Sequence, residues 1–128
     1  MSADENKALM EQFNAAMDRQ DAAFMVAHPG LTDTASIYRQ LWAAFPDLEG
    51  APQETIGEGT WCAQRVLVSG TMRGAFMGLP PTGKRATWQV IQTFRIVEGT
   101  IVESHGQADV MGMMQQLGLG PVPGPAPH

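Results

Sequence analysis

The sequence predicts an α+β fold, a cone-shaped α+β barrel in which N-terminal helices pack on a curved antiparallel sheet. Two changes along the chain lead to this prediction. Apolar residues recur at helical spacing up to about residue 45. Beyond Asp47 the chain consists of runs rich in Val, Ile, Thr and aromatic residues, separated by Gly and Pro. We expect one domain at residues 1–118 and a Pro-rich, disordered tail at 119–128.

The N-terminal part is expected to form three helices, over residues 3–19, 22–27 and about 33–45. Ser2 and Glu5 have the spacing of a capping box at the start of the first helix. Asp21 is placed to cap the second helix. Pro46 ends the third, because the residue before a proline is displaced from the helical region.

Four strands and a short last helix are expected after this, over residues 53–57, 61–71, 86–97, 101–109 and 109–117. Glu98-Gly99 predicts a tight hairpin between the last two strands. The intervening segment 73–85 contains several Gly and Pro residues and is predicted to be a loop. A curved sheet covered by helices encloses a space suited to a small molecule.

Composition excludes several classes of function. The net charge is −5 and the basic residues are scattered, which argues against a nucleic-acid-binding surface. The single cysteine, Cys62, cannot form an intramolecular disulfide, and we expect it to be a buried thiol. With one Cys and three His, a metal site is not expected. The polar N-terminus and the absence of a long apolar run predict a cytoplasmic protein without a signal peptide or membrane span.

Polar residues alternate along the last predicted strand. Glu103, His105, Gln107 and Asp109 share one face of it, because successive strand side chains point to opposite faces. Such a row fits either a solvated face or the wall of a pocket. We interpret it as part of a pocket.

Several segments carry a family resemblance: Ala44-Phe-Pro-Asp-Leu48, Gly70-Thr71-x-x-Gly74, Phe76-Met-Gly-Leu-Pro-Pro-Thr-Gly-Lys84, Phe94-Arg95, Glu98-Gly-x-Ile101 and Gln116-Leu-Gly118. They resemble the SnoaL-like polyketide cyclases, or ester cyclases, of the nuclear transport factor 2-like superfamily. The resemblance extends from the first helix to Gly118. It implies an apolar pocket, a homodimer formed through the sheet, no cofactor or metal, and intramolecular aldol ring closure of a polyketide.

The resemblance also implies which residues act. The family's acid/base aspartate follows a Glu-x-x-x-x-x-Asp spacing that matches Glu103 and Asp109. Three positions depart from the family pattern. Met72 stands where His is frequent, His105 where Trp is frequent, and Thr60 where Asp is frequent.

Each candidate has an alternative interpretation. Asp109 is predicted to be the acid/base, with a pKa raised by burial, but it can also cap the last helix. His105 is predicted to assist it, since imidazole titrates near neutral pH; the alternative is a half-exposed strand residue bonded to a neighbour. Glu103 is expected to pair with Arg95 or Arg65.

Substrate contacts are expected from amide, aromatic and thioether side chains. The amides of Gln92 and Gln107 are suited to hold carbonyl oxygens. The rest of the predicted pocket consists of large apolar residues, which are equally typical of a core: Trp88, Met72, Met77, Met111 and Phe45.

These observations together predict a cofactor-independent acid–base enzyme that cyclises a hydrophobic polyketide-like carbonyl compound. One alternative keeps the pocket and changes the reaction to epoxide hydrolysis, dehydration, isomerisation or pericyclic closure. Another is a protein that binds a small hydrophobic ligand without catalysis. The expected partners are the substrate and a second copy of the chain.

Overall fold

The computed structural model describes residues 3–119. The elements follow in the order α1 (Ala3–Asp18), α2 (Ala22–Ala27), α3 (Thr32–Ala44), β1 (Glu49–Glu58), β2 (Trp61–Thr71), β3 (Arg85–Val97), β4 (Thr100–Ala108) and α4 (Val110–Leu117). The strands form one antiparallel sheet in sequence order, against which the N-terminal helices pack. The predicted α+β fold is therefore confirmed. Ser2 and the predicted tail, except for its first residue, lie outside the described residues.

The local signals for the N-terminal helices act as expected. The Asp21 carboxylate accepts a hydrogen bond from the Phe24 amide at 3.2 Å and caps α2. A 3-10 turn over Pro29–Leu31 links α2 to α3. The Phe45 amide donates the last hydrogen bond of α3, to the Leu41 carbonyl at 2.7 Å, directly before Pro46.

β1 is the strand that the sequence pattern misjudged. It begins at Glu49, four residues earlier than predicted, and it contains Gly50 and Pro52. β1 lies at the edge of the sheet, where proline costs no ladder hydrogen bond on the open side. The register against β2 shifts between Pro52 and Glu54, which marks a bulge. Because of the bulge, Gly50 and Pro52, the sequence pattern did not predict the first half of this strand.

Two apolar clusters hold the helices against the inner face of the sheet. In the first, Phe13 of α1 packs on Phe94 of β3 with ring centroids 4.9 Å apart. In the second, Phe45 packs on Trp88 at 5.3 Å, and Met113 and Leu117 of α4 cover that end. The space between these clusters is where the cavity described below lies.

The turn between α2 and α3 lies directly on β4. A Cβ atom at Gly30 would come within 2.3 Å of the Glu103 nitrogen, so only glycine permits this approach. The hydroxyl of Ser104 donates to the Gly30 carbonyl at 2.7 Å, and the Ile101 amide donates to Nδ1 of His28 at 3.0 Å. Burial lowers the pKa of His28, which preserves the neutral ring that can accept this bond.

Three further features bear on the sequence analysis: the state of Cys62, the presence of membrane-spanning helices and the presence of metal-binding groups. Cys62 is buried in the first cluster as expected, and burial raises the pKa of its thiol. No helix within residues 3–119 is long and apolar enough to cross a membrane. Nor do the described residues include a group of three or more His, Cys, Asp or Glu that could hold a metal ion.

Candidate functional site

A cavity of about 420 Å³ lies between the helices and the inner face of the sheet. Helices α1 and α3 form one wall and all four strands form the other. Its size is within the range of small-molecule sites, and most of its surface is apolar. The apolar wall includes Phe13, Leu31, Val66, Trp88, Phe94 and Met113.

A chain of four polar side chains crosses this apolar wall. Asn14 of α1 and Gln64 of β2 exchange two amide hydrogen bonds, at 3.1 and 2.9 Å. Gln64 also donates to the Gln92 carbonyl oxygen at 3.2 Å. Gln92 in turn donates to the hydroxyl oxygen of Tyr38 on α3. We call these four residues the polar chain. It links both walls of the cavity.

Tyr38 is the end of the polar chain and has apolar neighbours. Its ring packs edge-on against Phe13 and lies 6.2 Å from the ring of Trp42. Removal from water raises the pKa of Tyr38 to about 12, because a phenolate there would be poorly solvated; the bond from Gln92 opposes this only partly. The phenol is therefore neutral at physiological pH.

The charged residues of the cavity wall are acidic. Asp18 and Glu49 both belong to the wall, and the Asp18 carboxylate accepts a bond from the Gly50 amide at 3.0 Å. Among the described residues that line the cavity there is no lysine or arginine. A ligand with a free carboxylate would therefore have no cationic partner inside, whereas a neutral ligand would lose nothing.

The register of β4 decides which of its side chains face the cavity. Gly106 pairs with Gln92, and Ser104 pairs with Phe94, so these β4 residues share the inner face with them. Glu103, His105 and Gln107 alternate with them and are exposed. The 104–108 segment as a whole contributes to the wall. Glu103, His105 and Gln107 of the predicted polar row, however, project their side chains from the outer face.

His105 and Glu103 interact with each other on that outer face. His105 Nε2 lies 2.6 Å from a Glu103 carboxylate oxygen, and the imidazole stacks on the Trp61 indole at 6.5 Å. The expected pairing of Glu103 with Arg65 or Arg95 is therefore wrong. Arg65 instead binds Glu54 on the neighbouring strand at 2.6 Å.

Asp109 follows β4 and caps α4. Its carboxylate accepts a hydrogen bond from the Gly112 amide at 2.9 Å. The residue is exposed, so the apolar burial expected from the sequence is absent. Asp109 is not itself among the residues that line the cavity, but its chain neighbours Ala108 and Val110 both are.

The other predicted contact residues are divided among three environments. Gln92 and Trp88 line the cavity. Phe45 and Met72 are fully buried in the second apolar cluster and lie outside the cavity wall. Met77 and Met111 are 62% and 60% exposed and also lie outside it.

The sequence reasoning missed three members of the polar chain, Asn14, Gln64 and Tyr38. A signal for two of them was present. Asn14 stands four residues after Met10 and three before Met17, within the apolar stripe of α1. Gln64 alternates with Cys62 and Val66 on the inner face of β2. A polar residue in an apolar stripe needs a buried partner, which indicates a polar network.

Comparison with known proteins identifies relatives over most of the chain. The family model for the SnoaL-like polyketide cyclases matches residues 5–117. Aklanonic acid methyl ester cyclase DauD of Streptomyces sp. (strain C5) is 33% identical over 80 residues, which cover 60% of this chain and 50% of DauD. The match to this relative therefore spans only half of its length. Nogalonic acid methyl ester cyclase of Streptomyces nogalater is 26% identical over 125 residues, which cover 86% of this chain and 92% of that enzyme.

A solved structure shares the fold. AclR of Streptomyces galilaeus, a proposed hydroxylase, superposes with a TM-score of 0.84 and 28% identity. The superposition covers 91% of this chain and 83% of AclR.

Proposed function

Because the chain belongs to the SnoaL-like polyketide cyclase family, we propose that it cyclises a neutral polyketide-type ester by intramolecular aldol condensation. The observation that carries this proposal is the cavity itself. It is apolar, three residues of the polar chain line it and can bind oxygen atoms, and its described wall includes no lysine or arginine. A flat, oxygenated ester fits these properties better than the corresponding free acid.

The reaction requires one group that first accepts and then donates a proton. In the proposed mechanism, Asp109 removes a proton from the acidic C–H between two carbonyls. The resulting carbanion attacks a second carbonyl carbon and forms the new C–C bond. The alkoxide formed there takes the proton back from Asp109, so no atom is gained or lost. The position of Asp109 between two wall residues supports this role.

The remaining site residues are proposed in supporting roles. Gln92 would hold a substrate oxygen, and Trp88 would pack on the rings, since both line the cavity. His105 as a helper and Gln107 as an oxygen-binding group remain predictions, since both side chains project from the outer face. Met72, Met77, Met111 and Phe45 also remain predictions as contacts.

Turnover of aklanonic acid methyl ester and nogalonic acid methyl ester tests the proposal. We expect the wild type to convert at least one ester to a cyclised product of the same mass. Asp109→Asn should lose about 100-fold or more in kcat, because asparagine cannot transfer the proton. Asparagine is a good N-cap, so the helix and the fold should persist. His105→Ala measures the proposed helper role, and loss of activity there would support it.

Two results would contradict the proposal. Full activity of Asp109→Asn would exclude this carboxyl as the acid/base. Binding without turnover of either ester would indicate a binding protein. The likeness to AclR favours hydroxylation as a second candidate function; that reaction would require an external oxidant such as O₂ and would add one oxygen atom to the product. Mass spectrometry of the product therefore separates the two reactions.

We also propose that two copies of the chain associate through the outer face of the sheet. Ile91, Trp61 and Ile56 are large apolar residues there and are 48%, 40% and 66% exposed. Several large apolar residues exposed on one face are typical of interaction surfaces. The test of this proposal is given in the Discussion.

A further inference from the structure

We propose that Tyr38 is a catalytic residue that donates a hydrogen bond to a substrate carbonyl oxygen, and that Gln92 and Gln64 orient it. The inference rests on the proposed function for the identity of that carbonyl. It assigns a role to the phenol that lies between the two walls of the cavity.

The direction of the hydrogen bonds in the polar chain carries the argument. Gln64 uses its Nε2 twice, donating to Asn14 at 2.9 Å and to the Gln92 oxygen at 3.2 Å. With its oxygen occupied, Gln92 presents its own NH₂ group to Tyr38. The Tyr38 oxygen therefore accepts this bond, and its hydroxyl hydrogen points elsewhere.

That hydrogen is available to a ligand. Within residues 3–119, the only hydrogen bond of the Tyr38 hydroxyl is the one it accepts from Gln92. Because the surrounding wall is apolar, a carbonyl oxygen in the cavity would gain from meeting this donor. Other hydroxyls of the wall are occupied. Thr34 donates to the Leu31 carbonyl at 3.0 Å, and Ser104 donates to Gly30.

The same bond would assist the aldol step. Negative charge develops on the attacked carbonyl oxygen as the C–C bond forms, and a fixed donor in an apolar site stabilises that charge. Burial keeps the phenol protonated, since its pKa is raised to about 12. The donation of a bond to Tyr38 by Gln92 further polarises the O–H group.

Binding of two flat ring systems tests the proposal without requiring turnover. 9,10-Anthraquinone has two carbonyl oxygens, and anthracene has the same three-ring frame without them. Dissociation constants for both, from quenching of tryptophan fluorescence, give one ratio for each variant. We expect Tyr38→Phe to shift this ratio against anthraquinone by about fivefold to tenfold. Gln64→Leu should shift it in the same direction by less, because Tyr38 is then present but less well oriented.

Thr34→Val is the matched control. It removes a wall hydroxyl one helical turn from Tyr38 whose hydrogen is already used, so the ratio should remain that of the wild type. An unchanged ratio in Tyr38→Phe would overturn the proposal, and so would an equal shift in Thr34→Val. Failure of the wild type to bind either compound would overturn it as well.

A second measurement leaves the cavity unaltered by mutation. Tyr38 is the only tyrosine of the chain, so protein grown with 3-fluorotyrosine gives one side-chain ¹⁹F resonance. Anthraquinone should shift this resonance more than anthracene does, and equal shifts would contradict the proposal. If the wild type does not turn over the esters but the binding results are as expected, the proposed function is refuted and the hydrogen bond from Tyr38 is not. Turnover that is unaffected by Tyr38→Phe would refute the catalytic role alone.

Discussion

The inner and outer faces of the same four-stranded sheet differ in how their polar groups are satisfied. On the inner face, Gln64 and Gln92 are bonded to other side chains within an apolar wall. On the outer face, Arg65 binds Glu54 through two hydrogen bonds, at 2.8 and 2.6 Å, in contact with solvent. Gln64 and Arg65 are neighbours on the same strand, β2. The environment therefore decides what each polar residue contributes.

The apolar residues of the two faces differ in how far they are exposed to solvent. Phe94 on the inner face of β3 is 1% exposed, whereas Ile91 on the outer face of the same strand is 48% exposed. Burial of a large apolar side chain contributes to the free energy of folding in proportion to the area removed from water. Residues of the inner face should therefore determine stability, and those of the outer face should determine association.

The largest expected effect comes from truncating one residue on each face. Phe94→Ala should lower the free energy of unfolding by about 3–5 kcal/mol, because it leaves a cavity in the first apolar cluster. Ile91→Ala on the same strand should lower it by less than about 1 kcal/mol, since the side chain is half exposed. Urea unfolding at low protein concentration measures both. Equal losses would abolish the distinction between the faces.

A smaller effect is expected from breaking the polar chain at its far end. Asn14→Ala removes both hydrogen-bonding partners that Asn14 provides to buried Gln64 and should cost about 1–3 kcal/mol. Removing a partner from the outer ion pair, in Glu54→Ala, should change the unfolding midpoint much less, because water replaces the carboxylate. A larger loss from Glu54→Ala than from Asn14→Ala would show that the comparison is wrong.

The smallest effect on stability is expected from introducing a charged side chain on the outer face. Ile91→Arg should leave the unfolding midpoint of the single chain nearly unchanged, because the longer side chain reaches solvent. If two copies associate through this face, the same change should convert a dimer into a monomer, since it buries a charge at the interface. Light scattering after gel filtration measures the mass. A wild-type monomer, or a dimer that persists in Ile91→Arg, would contradict the proposed interface.

Local signals in the sequence were sufficient for most of the fold. The bounds of α2 and β2 agree with the prediction, and Asp21 caps as expected. These features depend on neighbours along the chain, because capping and alternation act over a few residues. The predicted β1 was too short, because the bulge and the edge position of this strand arise from its pairing with β2 and are not visible in its local sequence.

The candidate site was predicted less completely, for a physical reason. Alternation correctly grouped Glu103, His105 and Gln107 on one face, but it could not say which face is covered by helices. That depends on the register of β4 with β3, in which Gly106 meets Gln92 and Ser104 meets Phe94. A shift by one residue would exchange the two sets of side chains.

What the sequence determined by itself was therefore the order of the elements, the caps, and the family to which the chain belongs. Only the tertiary structure decided which polar residues join in the polar chain beside the cavity. Asn14, Tyr38, Gln64 and Gln92 come from four separate elements, up to 78 positions apart along the chain. Their hydrogen bonds form because the packing of α1 and α3 on the sheet brings them into contact away from water. No pattern of a few residues contains that information.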